Sequence, residues 1–239
     1  VYIAYFAGIF IDCPSCLGME IVNNTDRVTR GDRELWDELL QVVIPKGRNI
    51  WAFADDDSEK LNEVGRSFEF FVENNEANVK KAMKDGNFFA ASKYYKTTDG
   101  VGDFDGDGNV PLVTDIKVDQ KANTITVATD PTRDCRVIEW IADGKVIATG
   151  NTIDLNDYEK DLGCYIRFQM KGSGGVTYSQ PFELQYKGRI DKPVPSWALW
   201  VFKTEAGQKF MKFYHSRSFA LGAFIAEKIR ILIEDNIKK

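Results

Sequence analysis

An α/β segment followed by an all-β sandwich and a helical tail is the fold class that the sequence predicts, on three observations. Apolar strand-like runs alternate with helix-patterned stretches over residues 1–98. Short alternating runs separated by turn residues occupy 114–190, and an aromatic, helix-patterned stretch fills 191–239. Between the first two lies an acidic, glycine-rich linker, residues 99–113. With 239 residues, 44% hydrophobic and 13% aromatic, the chain can fill an ordinary core and is no disordered polymer.

The elements follow in order. Residues 1–11 are an apolar run without a basic flank, read as a buried strand rather than a signal peptide, as though the sequence were a piece of a longer one. Residues 18–24 are a second strand. Asp32 can cap a helix whose apolar positions Leu35, Trp36, Leu39, Leu40 and Val43 share one face, until Pro45 and Gly47 stop it. Residues 49–54 form a strand that runs straight into Asp55. A helix over 76–85, capped by Asn75 and stopped by Gly86, leads to a strand over 87–92. This alternation predicts a parallel sheet or barrel, with function at the carboxyl ends of the strands.

Beyond the linker, strands are expected at 114–119, 123–129, 135–141, 145–149, 165–171 and 176–186. Asp143-Gly144 supplies a hairpin turn and residues 172–175 a flexible one, so the segment is Ig-like in size, with Trp140 in its core. In the tail, Leu221, Phe224, Ile225, Ile229 and Leu232 make one apolar face. That face is expected to pack on its own protein, a protein partner for the tail or the sandwich being the alternative.

Composition excludes several functions. A net charge of −5 argues against nucleic-acid binding, and no apolar run reaches the roughly 18–20 residues of a membrane span. The four cysteines are too few for a disulfide framework and predict reduced thiols in the cytoplasm. Cys13 and Cys16 have the spacing of a redox pair, but no second pair or nearby histidine completes a zinc site. His215 is the single histidine, which all but excludes a His-rich metal site or a Ser-His-Asp triad built wholly from this chain.

Carboxylates are left to carry chemistry. In Asp55-Asp56-Asp57-Ser58-Glu59, adjacent charges at the mouth of a strand repel one another unless a cation compensates. Asp57 and Glu59 alternate, and in an extended chain they would clamp a divalent ion; a solvated acidic loop is the other reading. Asp103, Asp105 and Asp107 fit the opening places of a calcium loop, with Gly108 at the turn. Pro111 and Thr114 stand where its later ligands would be, so a loose Ca²⁺ site and a plain linker both remain open.

Residues 50–59, Ile-Trp-Ala-Phe-Ala-Asp-Asp-Asp-Ser-Glu, resemble the last metal motif of the PHP (polymerase and histidinol phosphatase) phosphoesterases, an apolar strand ending in Asp-Asp-x-His. Met19-Glu20-Ile21-Val22-Asn23-Asn24, Leu35-Trp36-Asp37-Glu38-Leu39-Leu40 and the stretch from Val79 through Gly86 to Ser92 are similar to that family in order and kind. The stretch Tyr178 to Phe182 resembles members with an appended sandwich, so the likeness extends over residues 1–186. It implies the later part of a distorted (β/α)7 barrel, metal-activated water and a phosphate-ester substrate, a phosphorylated small molecule among them. By the resemblance, which implies zinc, manganese or iron, Asp57 is a metal ligand, with Glu59 where the family has His, an exchange that favours Mn or Mg over Zn. Asp55, Asp56 and Glu20 would stand behind them. The family's early histidine motifs are absent from these 239 residues. The expected function is therefore a PHP-like phosphoesterase or its carboxyl-terminal part. The alternative is a non-catalytic, degenerate barrel carrying a sandwich that binds a partner.

Overall fold

The computed structural model describes residues 2–184 apart from Asn74. The tail expected over 191–239, His215 with it, and the last residues assigned to the sandwich lie outside the described residues.

Helix α1 (Tyr2–Asp12) stands where the apolar run predicts a strand. A continuous apolar run has no periodicity to separate a strand from a buried helix. Ala4, Ala7 and Phe10, three residues apart, are its buried positions, and the helix packs along α2. Arg48 closes its carboxyl end, donating from Nε to the Phe10 carbonyl at 3.0 Å and from Nη2 to Pro14 at 3.1 Å.

Strand β1 (Gly18–Asn23), helix α2 (Asp32–Val43) and strand β2 (Trp51–Asp55) make a βαβ unit, with Gly18 opposite Trp51 and Asn23 opposite Asp55 in parallel register. Asp32 is the first residue of α2 rather than its cap, which is Gly31. Trp36, Leu39, Leu40 and Val43 are buried as their spacing predicts, and the Trp36 indole donates to the Ile50 carbonyl at 2.9 Å. A 3₁₀ turn containing Pro45, then Gly47 at φ 75°, ends the helix.

Strand β3 (Ser67–Phe71), helix α3 (Glu76–Asp85) and strand β4 (Phe88–Ser92) follow. The Asn75 side chain accepts from Asn78 N at 3.1 Å, and Gly86 ends α3 at φ 73°, where a Cβ would lie 2.7 Å from the Trp51 ring. Here the topology departs from the sequence reading. β4 pairs antiparallel with β3 and continues no parallel sheet, and among the described residues no closed barrel forms.

The short strands β5 (Tyr94–Tyr95) and β6 (Phe104–Asp105) pair at the linker. Eight further strands are β7 (Val113–Asp119), β8 (Thr124–Thr129), β9 (Val137–Ala142), β10 (Lys145–Thr149), β11 (Thr152–Asp154), β12 (Tyr165–Gly172), β13 (Gly175–Tyr178) and β14 (Phe182–Glu183). They match the expected runs, except that 176–186 is divided into β13 and β14 within its described part and that β11 was not expected. One sheet has the order β10-β9-β12-β13-β4-β3, with β14 also on β12; a smaller one has the order β11-β8-β7.

The larger sheet is thus the middle of three layers. Ile166, Phe168 and Met170 of β12 face Ile125, Val127 and Ile153 of the small sheet, with Trp140 among them. On the other face, Tyr165, Val176, Tyr178 and Ala90 join the core of α1, β1, α2 and β2. The outer edge of β2 meets side chains instead of a strand. Gln180 accepts from Ala52 N at 2.8 Å and donates to Ala52 O at 2.9 Å, while Glu69 accepts from Ala54 N at 2.9 Å. A β-rich α/β fold is therefore present, with the α/β unit seated on the sandwich.

Candidate functional site

Both parallel strands end in polar residues at one end of the βαβ unit. Beyond β1 the backbone turns through Asn24 at φ 51° and Asp26 at φ 58°; beyond β2 it turns through Asp57 at φ 46°. Asn and Asp tolerate this left-handed region better than most residues, so both turns draw on residue types the sequence supplies. Asn24 N donates to the Asp55 carbonyl at 2.9 Å and locks the two ends together.

The carboxylates there divide into two kinds. Asp26 and Asp56 are structural. Asp26 is fully buried and accepts from Arg33 Nη1 at 2.8 Å, Thr29 Oγ1 at 3.0 Å and Lys96 N at 2.7 Å. Asp56 accepts from the N–H groups of Gly65, Arg66 and Ser67 at 2.7, 2.6 and 2.8 Å, which closes the loop leading into β3.

Asp55 and Asp57 act on Glu20, and Asp57 acts on Asp55. Partial burial, followed by the charges of Asp55 and Asp57, raises the proton affinity of Glu20 against a 2.8 Å hydrogen bond from Asn23. Asp55 is raised by desolvation and then by Asp56 and Asp57, although its residue surface is exposed. Glu59 lies further out, exposed, with its N–H on Glu63 at 3.0 Å, and does not contribute to the shift at Asp55. The structure therefore brings Asp57 to Asp55 and Glu20 and leaves Glu59 apart from them.

Glu69 is the residue the sequence reading passes over. Burial pushes it up to about 7, with Asp55 and Asp56 adding to the shift against its bond to Ala54 N. Its signal was the alternation Phe68-Glu69-Phe70, which marks a strand with one polar position turned to the acidic loop. An acid raised above its unfolded value weakens the fold as pH climbs from about 4.5 through about 7. Glu69→Gln keeps an acceptor for Ala54 and removes the charge. Urea unfolding should find it more stable than wild type at pH 8 and unchanged at pH 5.

At the linker, Asp103 accepts from Thr97 N at 2.8 Å and Thr97 Oγ1 at 3.0 Å, Asp105 pairs with Lys96, and Asp107 accepts from Asn109 N at 2.8 Å. These three carboxylates serve local turns and one ion pair. Cys13 and Cys16 follow the carboxyl end of α1, and no disulfide joins any of the four cysteines.

Among the described residues no three His, Cys, Asp or Glu side chains converge so as to hold a metal ion. The donors at the strand ends are oxygen only and too few for a complete centre. No helix among the described residues is long and apolar enough to cross a membrane. Comparison with protein-family models, curated proteins and solved structures finds no match to this chain.

Proposed function

We propose that this chain is a PHP-like metal-dependent phosphoesterase, or the carboxyl-terminal part of one. Glu20, Asp55 and Asp57 would contribute carboxylates to a divalent-metal centre whose other donors lie outside the described residues. One observation carries the reading: at the ends of two parallel strands, burial and then the charges of Asp55 and Asp57 raise the proton affinity of Glu20, and burial and then the charges of Asp56 and Asp57 raise that of Asp55, the condition a bound cation relieves. The substrate class is a phosphate ester, on the resemblance of residues 50–59 to the family's metal motif. Cytoplasmic location belongs to the same reading.

A second reading, a non-catalytic module that binds a partner through its sandwich, is favoured by a different feature. A groove of about 540 Å³ at the end of the sandwich has Ile125, Leu155 and Phe182 in its lining, with Asp119, Glu159 and Glu183 as its acids.

Metal analysis of the purified full chain, with hydrolysis of an aryl phosphate in Mn²⁺, separates the two. The first reading expects at least one transition metal per chain and turnover, and Asp57→Ala should weaken metal binding about tenfold or more. Less than one metal per chain together with no turnover leaves the binding module. Turnover unchanged in Asp57→Ala overturns the site assignment alone.

A further inference from the structure

Between α2 and the central sheet lies a polar layer that the phosphoesterase reading does not use. Arg167 holds Asp37 through Nε at 2.7 Å and Nη2 at 2.6 Å, and its guanidinium stacks on the Trp36 ring at 5.0 Å. One helical turn earlier, Arg33 holds Asp26 at 2.8 Å and lies over the Tyr178 ring at 5.8 Å. All of these side chains are buried.

Two atoms in this layer have no hydrogen-bond partner among the described residues, Arg167 Nη1 and the Tyr178 hydroxyl. Tyr178 is 0% exposed and the Arg167 side chain 3%. The two share a face of the sheet. Tyr178 pairs with Gln169 across β12 and β13, and Arg167 is two residues from Gln169 along β12. Diagonal neighbours of this kind lie roughly 7–8 Å apart, within reach of long side chains. The Tyr178 hydroxyl also lies in the field of both guanidinium groups.

We propose that one buried water molecule bridges Arg167 Nη1 and the Tyr178 hydroxyl, accepting from the guanidinium and completing a hydrogen bond with the phenol. Buried polar groups in native proteins are paired, with ordered water where no protein group reaches them. Charge selects water over an anion. The layer holds two guanidinium groups and two carboxylates in two ion pairs, so it is already neutral, and a chloride there would be an uncompensated buried charge. The bridge makes the water part of the joint that fixes α2 to the sheet. It stands or falls independently of any metal centre.

A high-resolution crystal structure of the full chain, with a bromide soak, tests the proposal. Expected is a water peak within about 3 Å of both atoms and no anomalous bromide signal there. A direct Arg167–Tyr178 hydrogen bond, absent density between the two atoms, or a bromide peak overturns it. Oxygen-17 water relaxation in solution supplies a second readout. Tyr178→Phe should show one long-lived internal water fewer than wild type, and an unchanged count in the folded variant also overturns the bridge. If that variant does not fold, the wild-type crystal decides.

Discussion

Asp37→Ala is expected to cost about 3–5 kcal/mol of stability, because it leaves a buried guanidinium without its counter-charge. The Asp37 carboxylate accepts from Arg167 Nε and Nη2, and from the Tyr165 hydroxyl at 2.7 Å. Tyr165 in turn accepts from Gly144 N at 3.2 Å, so one carboxylate organises contacts from α2, β12 and the turn after β9. Burial by itself lowers the proton affinity of Arg167, but Asp37 more than offsets that, and the arginine stays charged. Without Asp37 it has no counter-charge and cannot readily shed its proton. Urea unfolding measures the loss. The double variant Asp37→Leu, Arg167→Met, which removes both charges, should recover most of it. A loss below about 1 kcal/mol in Asp37→Ala would mean the pair is solvated like a surface salt bridge.

The second large effect is steric. Gly174→Ala should destabilise by about 3 kcal/mol, the upper part of the range for overpacking. At Gly174 a Cβ would stand 2.0 Å from the Asn109 carbonyl oxygen and 2.1 Å from its carbon; at Gly106 it would stand 2.2 Å from the Gly174 backbone. Gly108 N donates to Gly174 O at 2.9 Å, so the linker and the β12–β13 turn meet backbone to backbone. Backbone cannot move aside as the end of a side chain can. Gly102→Ala is a control for the linker, since a Cβ there meets nothing within 4 Å and only its φ of 76° opposes the change. Thermal unfolding should therefore show a much smaller drop for Gly102→Ala. Equal drops would mean that linker conformation, not the close approach, sets the cost.

This contact also explains why the linker was open to two readings. Asp103-Phe104-Asp105-Gly106-Asp107-Gly108 has the oxygen spacing of a calcium loop, and spacing was all the sequence could show. Gly106 is required by the backbone of Gly174, some seventy residues away, a contact no local pattern reveals. At the strand ends, the acidic cluster after β2 was legible because apolar residues run directly into three aspartates. Which carboxylates are engaged was not. Asp56 is tied to backbone N–H groups of residues 65–67, and Glu69 comes from a strand that was not read. Both facts depend on β3 returning beside β2.

By itself the sequence determined the elements whose signals are local. The apolar spacing of α2 and the turns at Pro45 and Gly47 do not depend on distant partners, nor do the Asn75 cap, the Gly86 stop and the alternating runs of the sandwich. The tertiary structure alone decided what lies on each face. In β12 the alternation Tyr165, Arg167, Gln169 against Ile166, Phe168, Met170 reads as one face in water and one in a core, yet all six residues are buried. The arginine is tolerated inside because Asp37, on a helix more than a hundred residues earlier, neutralises it there. The parallel barrel expected from strand-helix alternation gave way for a similar reason. Strand order is set by which edges and faces find partners, and β4 pairs with β3 and β13 at the edge of the sandwich sheet.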